Sequence, residues 1–311
     1  MTSKLIAIQG DHPSKLNPLS DTSIFLANEI QKKRYKIFYY KPEDLSIIGP
    51  SVIAEGFFIK FNYNKKKIFK ILKKKKLDLV KCKFILIRQD PPFNLKYIST
   101  TYILDTIKNK VRIINDPTSI RNISEKLYSS KYQKFMPPTI FTQNIDEIKK
   151  FIKINKKIIL KPIHSYGGND IHLLTKFNQS LIKRFIKKHN YIMCQKFLSK
   201  ISEGDKRVFI INGKIVGAIS RIPKKGSFLS NLSKGGKAIK INLTILEKKI
   251  SKKIAKDLKK ENIFFAGIDF IDQKINGDIN ITSPTGLKTL YDLSKINLAK
   301  TFWSELKVWK I

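Results

Sequence analysis

The stretch GIDFIDQKINGDINITSPTG, Gly267–Gly286, places three carboxylates in a chain dominated by lysine. Two apolar runs flank a polar segment that contains a glycine, which predicts a β-hairpin with its loop near 272–277. Side chains alternate along a strand, so Asp278 and Asn280 should share one face, with Asp269 opposite them at about 4.5–5.5 Å. Carboxylate and amide oxygens without His or Cys suit a hard cation such as Mg²⁺. The alternative is an edge strand that is polar only because it faces solvent.

Length and composition indicate a globular chain. With 311 residues, 42% of them hydrophobic and 11% aromatic, the chain can bury the cores of two or three folding units. No run approaches the roughly 18 apolar residues of a membrane helix, and the start, MTSKLIAIQGDHP, fits a first buried strand better than a signal peptide. Cys82 and Cys194 are too few for a disulfide framework, so we expect a cytoplasmic protein.

The formal net charge of +38 raises the question of nucleic acid as a partner, because Lys and Arg neutralise phosphates. The lysines, however, are spread along the whole chain with many Ile and Asn residues, as a compositionally skewed genome would also give. The densest run, Asn64–Lys83, has Ile68, Ile71 and Leu72 at helical spacing and predicts a basic amphipathic helix. We expect this helix to pack by its apolar stripe rather than bind nucleic acid or a membrane surface.

The first third of the chain alternates strand-like and helix-like segments. KLIAIQG, YKIFYY, FILIRQ and RIIND are predicted strands, and residues 21–33 are predicted to form a helix with Asp21 as its N-cap. Such alternation is typical of an α/β unit with a mainly parallel sheet. Ligands of these sheets bind beyond the carboxyl ends of strands, so the loops QGDHPSKLNPLSDTS and RQDPPFN are expected to face a ligand.

The pattern changes after Ser119, and we place a domain boundary near 115–123. Helices are predicted around 124–132 and over 145–154, with the extended segment FMPPTIF between them. The predicted strand KIILKPI then leads into the loop HSYGGNDIHLL, which contains Gly167 and Gly168. Adjacent glycines allow a close backbone approach, and successive amide groups can bind an anion, although a glycine pair alone is typical of any turn. Lys161, at the end of the preceding strand, favours a phosphate as that anion.

A family resemblance connects these segments. IRQDPPFN, SEKL, ILKPIHSYGG, EGDKRVFIINGKIVGAISRIP, NLSKGGK and AGIDFI…DINITSPTG occur in the order found in bacterial glutathione synthetases, which are members of the ATP-grasp superfamily. The chain resembles this family from about Leu5 to about Thr289. The resemblance implies an α/β fold in which an amino-terminal parallel-sheet (pre-ATP-grasp) domain, residues 1–120, precedes an ATP-grasp domain, residues 121–311. The second domain would comprise two α+β subdomains, about 121–200 and 201–311.

The resemblance also implies an activity: an ATP-dependent ligase that joins γ-glutamylcysteine to glycine through an acyl phosphate and releases glutathione, ADP and phosphate. It implies Mg²⁺, or else Mn²⁺, as cofactor, and a homotetramer. By resemblance, the metal is held by Asp269, Asp278 and Asn280. The residues implied at the nucleotide are Lys126, Lys161, Gly167, Gly168, Lys196, Phe197, Leu198, Asp205 and Asn231. The residues implied in catalysis, at the acyl-phosphate region, are Arg207 and Arg221.

Several positions depart from the family pattern. Asp278 stands where the family usually has Glu, His164 replaces an acidic residue, and Leu229 replaces an Arg. Lys288 and Thr289 stand where an Arg-Glu pair follows SPT, and replacing Arg by Lys removes a bidentate carboxylate fork. These departures keep two alternatives open: an ATP-grasp ligase for another amine or dipeptide, and a catalytically weak basic paralog that binds nucleic acid.

Overall fold

The computed structural model describes residues 4–62 and 68–309, which contain three β-sheets. The amino-terminal elements are β1 (Leu5–Gln9), α1 (Thr22–Gln31), β2 (Lys36–Ile48), β3 (Ser51–Phe61), β4 (Phe69–Asp78), β5 (Phe84–Ile87), α2 (Leu95–Asp105), β6 (Arg112–Ile114) and α3 (Pro117–Asn122). The strand order is β4-β3-β2-β1-β5-β6. β1 pairs in parallel with β2 and β5, and β5 with β6, which confirms the predicted α/β unit.

β2, β3 and β4 lie on one side of β1, and β5 and β6 lie on the other side. The loops that follow β1 and β5 meet at this change of direction. The backbone amide of Asp90 donates to the Asp11 carboxylate at 3.0 Å, which links the two loops directly. α1 begins beside them, and the Asp21 side chain accepts from the Ile24 amide at 2.7 Å, as expected of its N-cap. The carboxyl edge of the sheet is therefore a ligand-facing edge, in agreement with the general rule for such sheets.

The predicted helix over Asn64–Lys83 is wrong. Phe69–Asp78 is the antiparallel edge strand β4, a short 3₁₀ turn follows at Leu79–Lys81, and residues 63–67 lie outside the described residues. β3 supplies a partner for this segment, with Phe61 opposite Phe69. The strand's lysines stay exposed, and lysines on an edge strand keep it from pairing with other chains.

The next unit is a four-stranded antiparallel sheet with two helices packed on it. Its elements are β7 (Thr139–Thr142), α4 (Ile145–Asn155), β8 (Ile158–Pro162), β9 (His172–Leu174), α5 (Gln179–His189) and β10 (Ile192–Lys196), with strand order β7-β10-β8-β9. α4 matches the predicted helix. The segment predicted as a helix around 124–132 is instead a 3₁₀ stretch, Leu127–Phe135, and the Ser129 hydroxyl donates to the Lys126 carbonyl there at 2.6 Å. Such local bonds compete with the α-helical ladder.

The third sheet is also antiparallel, with strand order β13-β12-β11-β14-β15. Its elements, with the helices that accompany them, are β11 (Asp205–Ile211), β12 (Lys214–Ile222), β13 (Lys237–Lys240), α6 (Ile245–Lys260), β14 (Phe265–Ile271), β15 (Lys274–Asn280), α7 (Leu287–Ser294) and α8 (Leu298–Val308). β14 and β15 form the hairpin predicted from the opening stretch. α8 returns to the amino-terminal region, where the Trp303 indole donates to the Leu26 carbonyl at 2.8 Å.

Asn115 joins the amino-terminal sheet to the third sheet. Its side-chain NH₂ donates to the carbonyls of Phe265 and Ile281 at 2.8 and 2.6 Å, and its Oδ1 accepts from the amides of Phe264 and Phe265 at 3.0 and 2.8 Å. The side chain is buried and makes four bonds to backbone groups. The end of β6 is thereby fixed against β14 and against the segment that follows β15.

We expect Asn115→Ala to lower the free energy of unfolding by about 3 kcal/mol or more, because each buried backbone group left without a partner costs about 1–3 kcal/mol. Urea unfolding followed by circular dichroism measures this loss. Asn242→Ala, at an exposed position, is the control and should leave the free energy of unfolding within about 0.5 kcal/mol of the parent chain. Equal stability of both variants would show that the Asn115 bonds do not join the two regions.

Candidate active site

Two ion pairs lie side by side across β12, β11 and β14. Asp205 and Arg221 are directly opposite each other in the ladder, and so are Arg207 and Asp269. Arg207 donates to both Asp269 oxygens, at 2.8 and 2.6 Å. Arg221 Nε donates to Asp205 Oδ1 at 2.8 Å, and its Nη2 contacts both Asp205 and, at 3.0 Å, Asp269 Oδ2. Strand register thus assembles a buried, continuous chain of alternating charges.

The neighbouring groups stabilise the charged forms of Asp269 and Arg221. Burial would raise the pKa of Asp269, but the guanidinium groups of Arg207 and Arg221 outweigh that effect and hold the pKa far below its usual range. Burial likewise opposes the charge of Arg221, yet Asp205 and Asp269 raise its pKa above the ordinary value. Asp269 is therefore held as a carboxylate, which can act as a hydrogen-bond acceptor or metal ligand.

The hairpin brings Asn280 beside Asp269, as predicted. Asn280 is opposite Gly267, and its Nδ2 lies 3.3 Å from Asp269 Oδ2. Asp278 is displaced from the expected position because the β14–β15 ladder is interrupted by a bulge between Ile268 and Phe270. Asp272, in the turn, pairs instead with Lys200 at 2.7 Å. Two of the three carboxylates in the opening stretch therefore belong to the site.

Asp278 faces two buried lysines from the other half of the fold. Lys126 Nζ lies 3.2 Å from Asp278 Oδ1 and donates to the Ser165 carbonyl at 2.6 Å. Lys161, on β8, lies 3.9 Å from Asp278 Oδ2. Burial lowers the pKa of Lys161, and the Asp278 carboxylate opposes that shift. Both lysines therefore face Asp278 at the junction of the two carboxyl-terminal sheets.

A cavity of about 790 Å³ lies between these two sheets and the loops of the amino-terminal region. Its lining includes all of the predicted site residues: Lys126, Lys161, Gly167, Gly168, Lys196, Phe197, Leu198, Asp205, Arg207, Arg221, Asn231, Asp269, Asp278 and Asn280. The glycine loop closes one side, and a Cβ on Gly168 would lie only 2.8 Å from Asn231 Oδ1. Residues from both predicted loops, including Asp21 and Asp90, line the amino-terminal side.

The cavity's donor set fits a magnesium-type cation that shares its coordination with phosphates. Across residues 4–62 and 68–309, no cluster of three or more His, Cys, Asp or Glu side chains could hold a metal alone. Asp269, Asp278 and Asn280 offer two carboxylates and an amide oxygen, and Mg²⁺ usually takes one or two carboxylates and completes its shell with water and substrate phosphates. The residues present therefore suit a divalent cation that arrives with a nucleotide.

The balance of charge supports the same conclusion. The charge cluster consists of Lys126, Lys161, Asp205, Arg207, Arg221, Asp269 and Asp278. Its four cations exceed its three carboxylates by one charge, and a nucleoside triphosphate brings more negative charge than this excess neutralises. A divalent cation beside Asp278 and Asn280 would reduce the remaining negative charge at the place where the phosphates must lie.

Two residues that support the site, Glu125 and Thr285, were not predicted from the sequence. Glu125 Oε1 accepts from the amides of Ile281 and Thr282 at 2.7 and 3.0 Å, and so fixes the backbone that follows Asn280. Arg207 Nη1 contacts the Thr285 hydroxyl at 3.4 Å. Both residues lie within the quoted motifs SEKL and SPT, so the motifs contained the signal, but no periodicity distinguishes these side chains from their neighbours.

Comparison with known proteins places the chain in a family. Residues 5–121 match the family model for the N-terminal domain of prokaryotic glutathione synthetase, and residues 125–295 match the model for its ATP-grasp domain. A glutathione synthetase of Prochlorococcus marinus is 36% identical over 91% of this chain and 92% of its own length. One of Mesorhizobium japonicum is 34% identical, with 97% of each chain covered. The chain belongs to the prokaryotic glutathione synthetase family.

Solved structures of ATP-grasp ligases share the fold at low identity. D-cycloserine synthetase superposes with a TM-score of 0.65 at 11% identity, covering 97% of this chain and 98% of its own. D-alanyl-alanine synthetase A of Vibrio cholerae gives 0.63 at 15% identity, covering 99% of this chain and 98% of its own. The predicted fold class, a parallel-sheet domain followed by an ATP-grasp domain, is confirmed. Of the helices in the described part of the chain, none combines the length and apolar character that membrane crossing requires.

The positions that depart from the glutathione synthetase pattern have defined surroundings. Leu229 and Thr289 line the cavity. Lys288 pairs with Asp292, one helical turn away, with Nζ 2.6 Å from Oδ2. His164 stacks on Phe93 of the loop after β5, with ring centroids 6.1 Å apart. Burial, assisted by the charge of Lys126, lowers the pKa of His164, so a neutral ring occupies a position where the family has an acid.

Proposed function

We propose that the chain is a glutathione synthase, an ATP-dependent ligase that joins γ-glutamylcysteine to glycine and releases ADP and phosphate. The observation that supports this most is that residues matching the family's motifs, from the "SEKL" segment to "SPTG", line a single cavity. The relatives from Prochlorococcus marinus and Mesorhizobium japonicum are glutathione synthetases, and each aligns with nearly the whole chain. This favours glutathione synthesis over a ligase for another amine or dipeptide, and over a basic paralog without catalysis.

The nucleotide occupies the part of the cavity between the two carboxyl-terminal sheets. Lys196, Phe197 and Leu198, which end and follow β10, receive the adenine. Lys126 and Lys161 face the phosphates, and the amides of Gly167 and Gly168 cover them from the loop after β8. Both glycines have positive φ, 64° and 76°, which lets successive N–H groups turn toward an anion. Asp205 and Asn231 line the same part of the cavity.

Mg²⁺ is the cation proposed for Asp269, Asp278 and Asn280, with Mn²⁺ as the alternative hard ion. When bound, it would neutralise charge that develops on the transferred phosphoryl group. Asp269 contributes a carboxylate whose charged form the two arginines stabilise. Asp278 contributes one that is now paired with Lys126 and is 22% exposed.

The reaction proceeds in two transfers. A carboxylate oxygen of the cysteinyl residue attacks the γ-phosphorus, the bond to ADP breaks, and an acyl phosphate forms. The glycine amine then attacks the acyl carbon and loses a proton. Phosphate leaves and carries with it the carboxylate oxygen that had attacked the γ-phosphorus. Arg207 and Arg221 provide fixed positive charge for the anionic groups of both steps. Because salt bridges already hold both guanidinium groups in place, little reorganisation accompanies the reaction.

Oxygen-isotope transfer tests this mechanism. With γ-glutamylcysteine labelled with ¹⁸O in its cysteinyl carboxylate, we expect each phosphate released in the presence of Mg²⁺-ATP and glycine to contain one labelled oxygen. Mass spectrometry of the phosphate measures the transfer. Unlabelled phosphate, formed in step with glutathione, would contradict an acyl phosphate. Unlabelled phosphate without glutathione would indicate hydrolysis of ATP alone.

Cytoplasmic location and homotetrameric assembly belong to the same proposal. Cys82 and Cys194 are buried free thiols, and burial raises the pKa of each to about 12, so neither is poised to form disulfides. This chemistry suits a reducing compartment. Sedimentation velocity at micromolar concentration tests the assembly: we expect a tetramer, and a monomer over the whole concentration range would contradict it.

A further inference from the structure

β15 contains a bulge, residues 276–278, at the centre of the site. Ile268 is opposite Ile279, but the ladder resumes with Phe270 opposite Ile275. Asp269 therefore faces this three-residue segment, which we call the β15 bulge. Bulged residues leave the hydrogen-bonded ladder, so their carbonyl groups are free for other partners, and bulges often redirect side chains next to active sites.

The β15 bulge accepts hydrogen bonds from Lys161. Lys161 Nζ donates to the Asn276 carbonyl at 2.6 Å, to Asn276 Oδ1 at 3.0 Å and to Gln195 Oε1 at 3.1 Å. A lysine ammonium has three protons, and these three oxygens can accept all of them, so Lys161 would act on a phosphate through its positive charge. Two of the three acceptors belong to one residue, Asn276.

Tight packing holds the bulge in place. Gly277 has φ of +87°, and a Cβ there would lie 2.2 Å from Met193 Cε. Met193 is the β10 residue directly opposite Lys161 in the β8–β10 ladder. The third sheet therefore contacts the second where Gly277 packs on Met193 and Asn276 binds the lysine beside it.

Both lysines form ion pairs with Asp278, at unequal distances. Lys126 Nζ lies 3.2 Å from that carboxylate, and Lys161 Nζ, which Asn276 binds, lies at 3.9 Å. If the side-chain oxygen of Asn276 were lost, one N–H group of Lys161 would lose its hydrogen-bond acceptor. Asp278 would then be the nearest strong acceptor for that N–H group. The lysine would then neutralise a carboxylate that the cation needs, and would leave the position that faces the phosphates.

We propose that Asn276 is a positioning residue: it holds the Lys161 ammonium for the nucleotide phosphates and away from Asp278. The proposal rests on the proposed function, since it takes Lys161 to bind ATP. It predicts that Asn276 acts on nucleotide affinity only through Lys161, and that its effect disappears when Lys161 is removed.

A double-mutant cycle on nucleotide binding tests the proposal, with the full chain and the non-hydrolysable analogue AMPPNP in excess Mg²⁺. By isothermal calorimetry, we expect Asn276→Ala to weaken AMPPNP binding about tenfold in the parent chain, as for the loss of one hydrogen bond to a charged group. In the Lys161→Ala background the same change should alter affinity by less than about twofold. Lys274→Ala, at an exposed position on the same strand, is the control and should bind like the parent.

An equal loss of affinity in both backgrounds would overturn the proposal, because Asn276 would then act on the fold and not through Lys161. Unchanged affinity of Asn276→Ala in the parent chain would overturn it as well. Thermal unfolding verifies that each variant is folded, and Asn276→Ser, whose oxygen is too near the backbone to reach Lys161, replaces any alanine variant that unfolds. If the parent chain itself fails to bind AMPPNP, the proposed function falls, and this proposal with it.

Discussion

Asp269→Asn is expected to lower kcat for glutathione formation about 1000-fold or more at saturating substrates. The substitution keeps the shape of the side chain but removes one of the two carboxylates proposed for Mg²⁺. It also leaves Arg207 and Arg221 with an uncompensated charge that repels the cation. The magnitude is that of one lost electrostatic contact to a transition state, about 100- to 1000-fold, with weaker metal binding in addition. Coupled measurement of ADP and glutathione gives the rate.

The matched control is Asp272→Asn, which removes a carboxylate from the turn of the same hairpin, where it pairs with Lys200. Its turnover should stay within about twofold of the parent chain. If Asp269→Asn turns over within about tenfold of the parent, Asp269 is not a metal ligand. Calorimetric titration with Mg²⁺ in the presence of AMPPNP separates weakened metal binding from a defect in chemistry.

The same substitution has a pH-dependent effect on stability. Because the pKa of Asp269 is lower in the folded chain than in the unfolded one, its stabilising contribution is fully present above the unfolded pKa, about 3.9. It is lost as pH falls through the folded pKa. We therefore expect the difference in free energy of unfolding between parent and Asp269→Asn to be constant near neutral pH and to shrink below about pH 4. A difference that grows on acidification would contradict this assignment.

Arg221→Met is expected to have the second largest effect, on stability and activity together. Asp205 would lose its partner while buried, and breaking one side of a buried ion pair costs about 3–5 kcal/mol. Asp269 would keep Arg207 as its ion-pair partner. We expect this loss in the free energy of unfolding, measured in urea, and about a 100- to 1000-fold fall in kcat from the missing charge at the transferred group.

Arg221→Lys separates the positive charge of this residue from its simultaneous contacts with two carboxylates. Lysine keeps the positive charge but cannot form the fork that contacts Asp205 and Asp269 at once, so activity and stability should lie between those of the parent and Arg221→Met. Arg184→Met, at an exposed position on α5, is the control and should match the parent in both measurements. An Arg221→Met variant as stable and active as this control would show that the ion pair is dispensable.

The hairpin, and the position of Asn280 beside Asp269, could be predicted from the sequence because both depend on local pattern. Apolar runs on either side of a polar segment specify two strands, and alternation places Asn280 beside Asp269. Asp278 could not be positioned in this way, because alternation assumes an unbroken ladder. The bulge at Gly277 depends on a contact with Met193, which is remote in sequence. The pairing of Arg207 with Asp269 likewise depends on the register between β11 and β14, which composition does not reveal.

The lysine-rich segment shows how a local pattern can mislead. Ile68, Ile71 and Leu72 have helical spacing, but β3 offers an antiparallel partner for this segment. Ile71 is opposite Ile59 in that ladder, and the register shift next to it leaves Leu72 exposed. Helical periodicity in a short lysine-rich run is weak evidence because the lysines are solvated in either conformation. Asn115 was missed for a related reason: a single polar residue after a strand gives no sign that it will join two sheets.

Identification of the reaction products decides whether the chain makes glutathione. Purified protein is incubated with Mg²⁺-ATP, γ-glutamylcysteine and glycine, and mass spectrometry is combined with phosphate release. We expect glutathione and phosphate in equal amounts, with neither product formed when any one substrate is omitted. Phosphate release that requires a different amine or dipeptide, or no ATP-dependent product at all, would contradict this expectation.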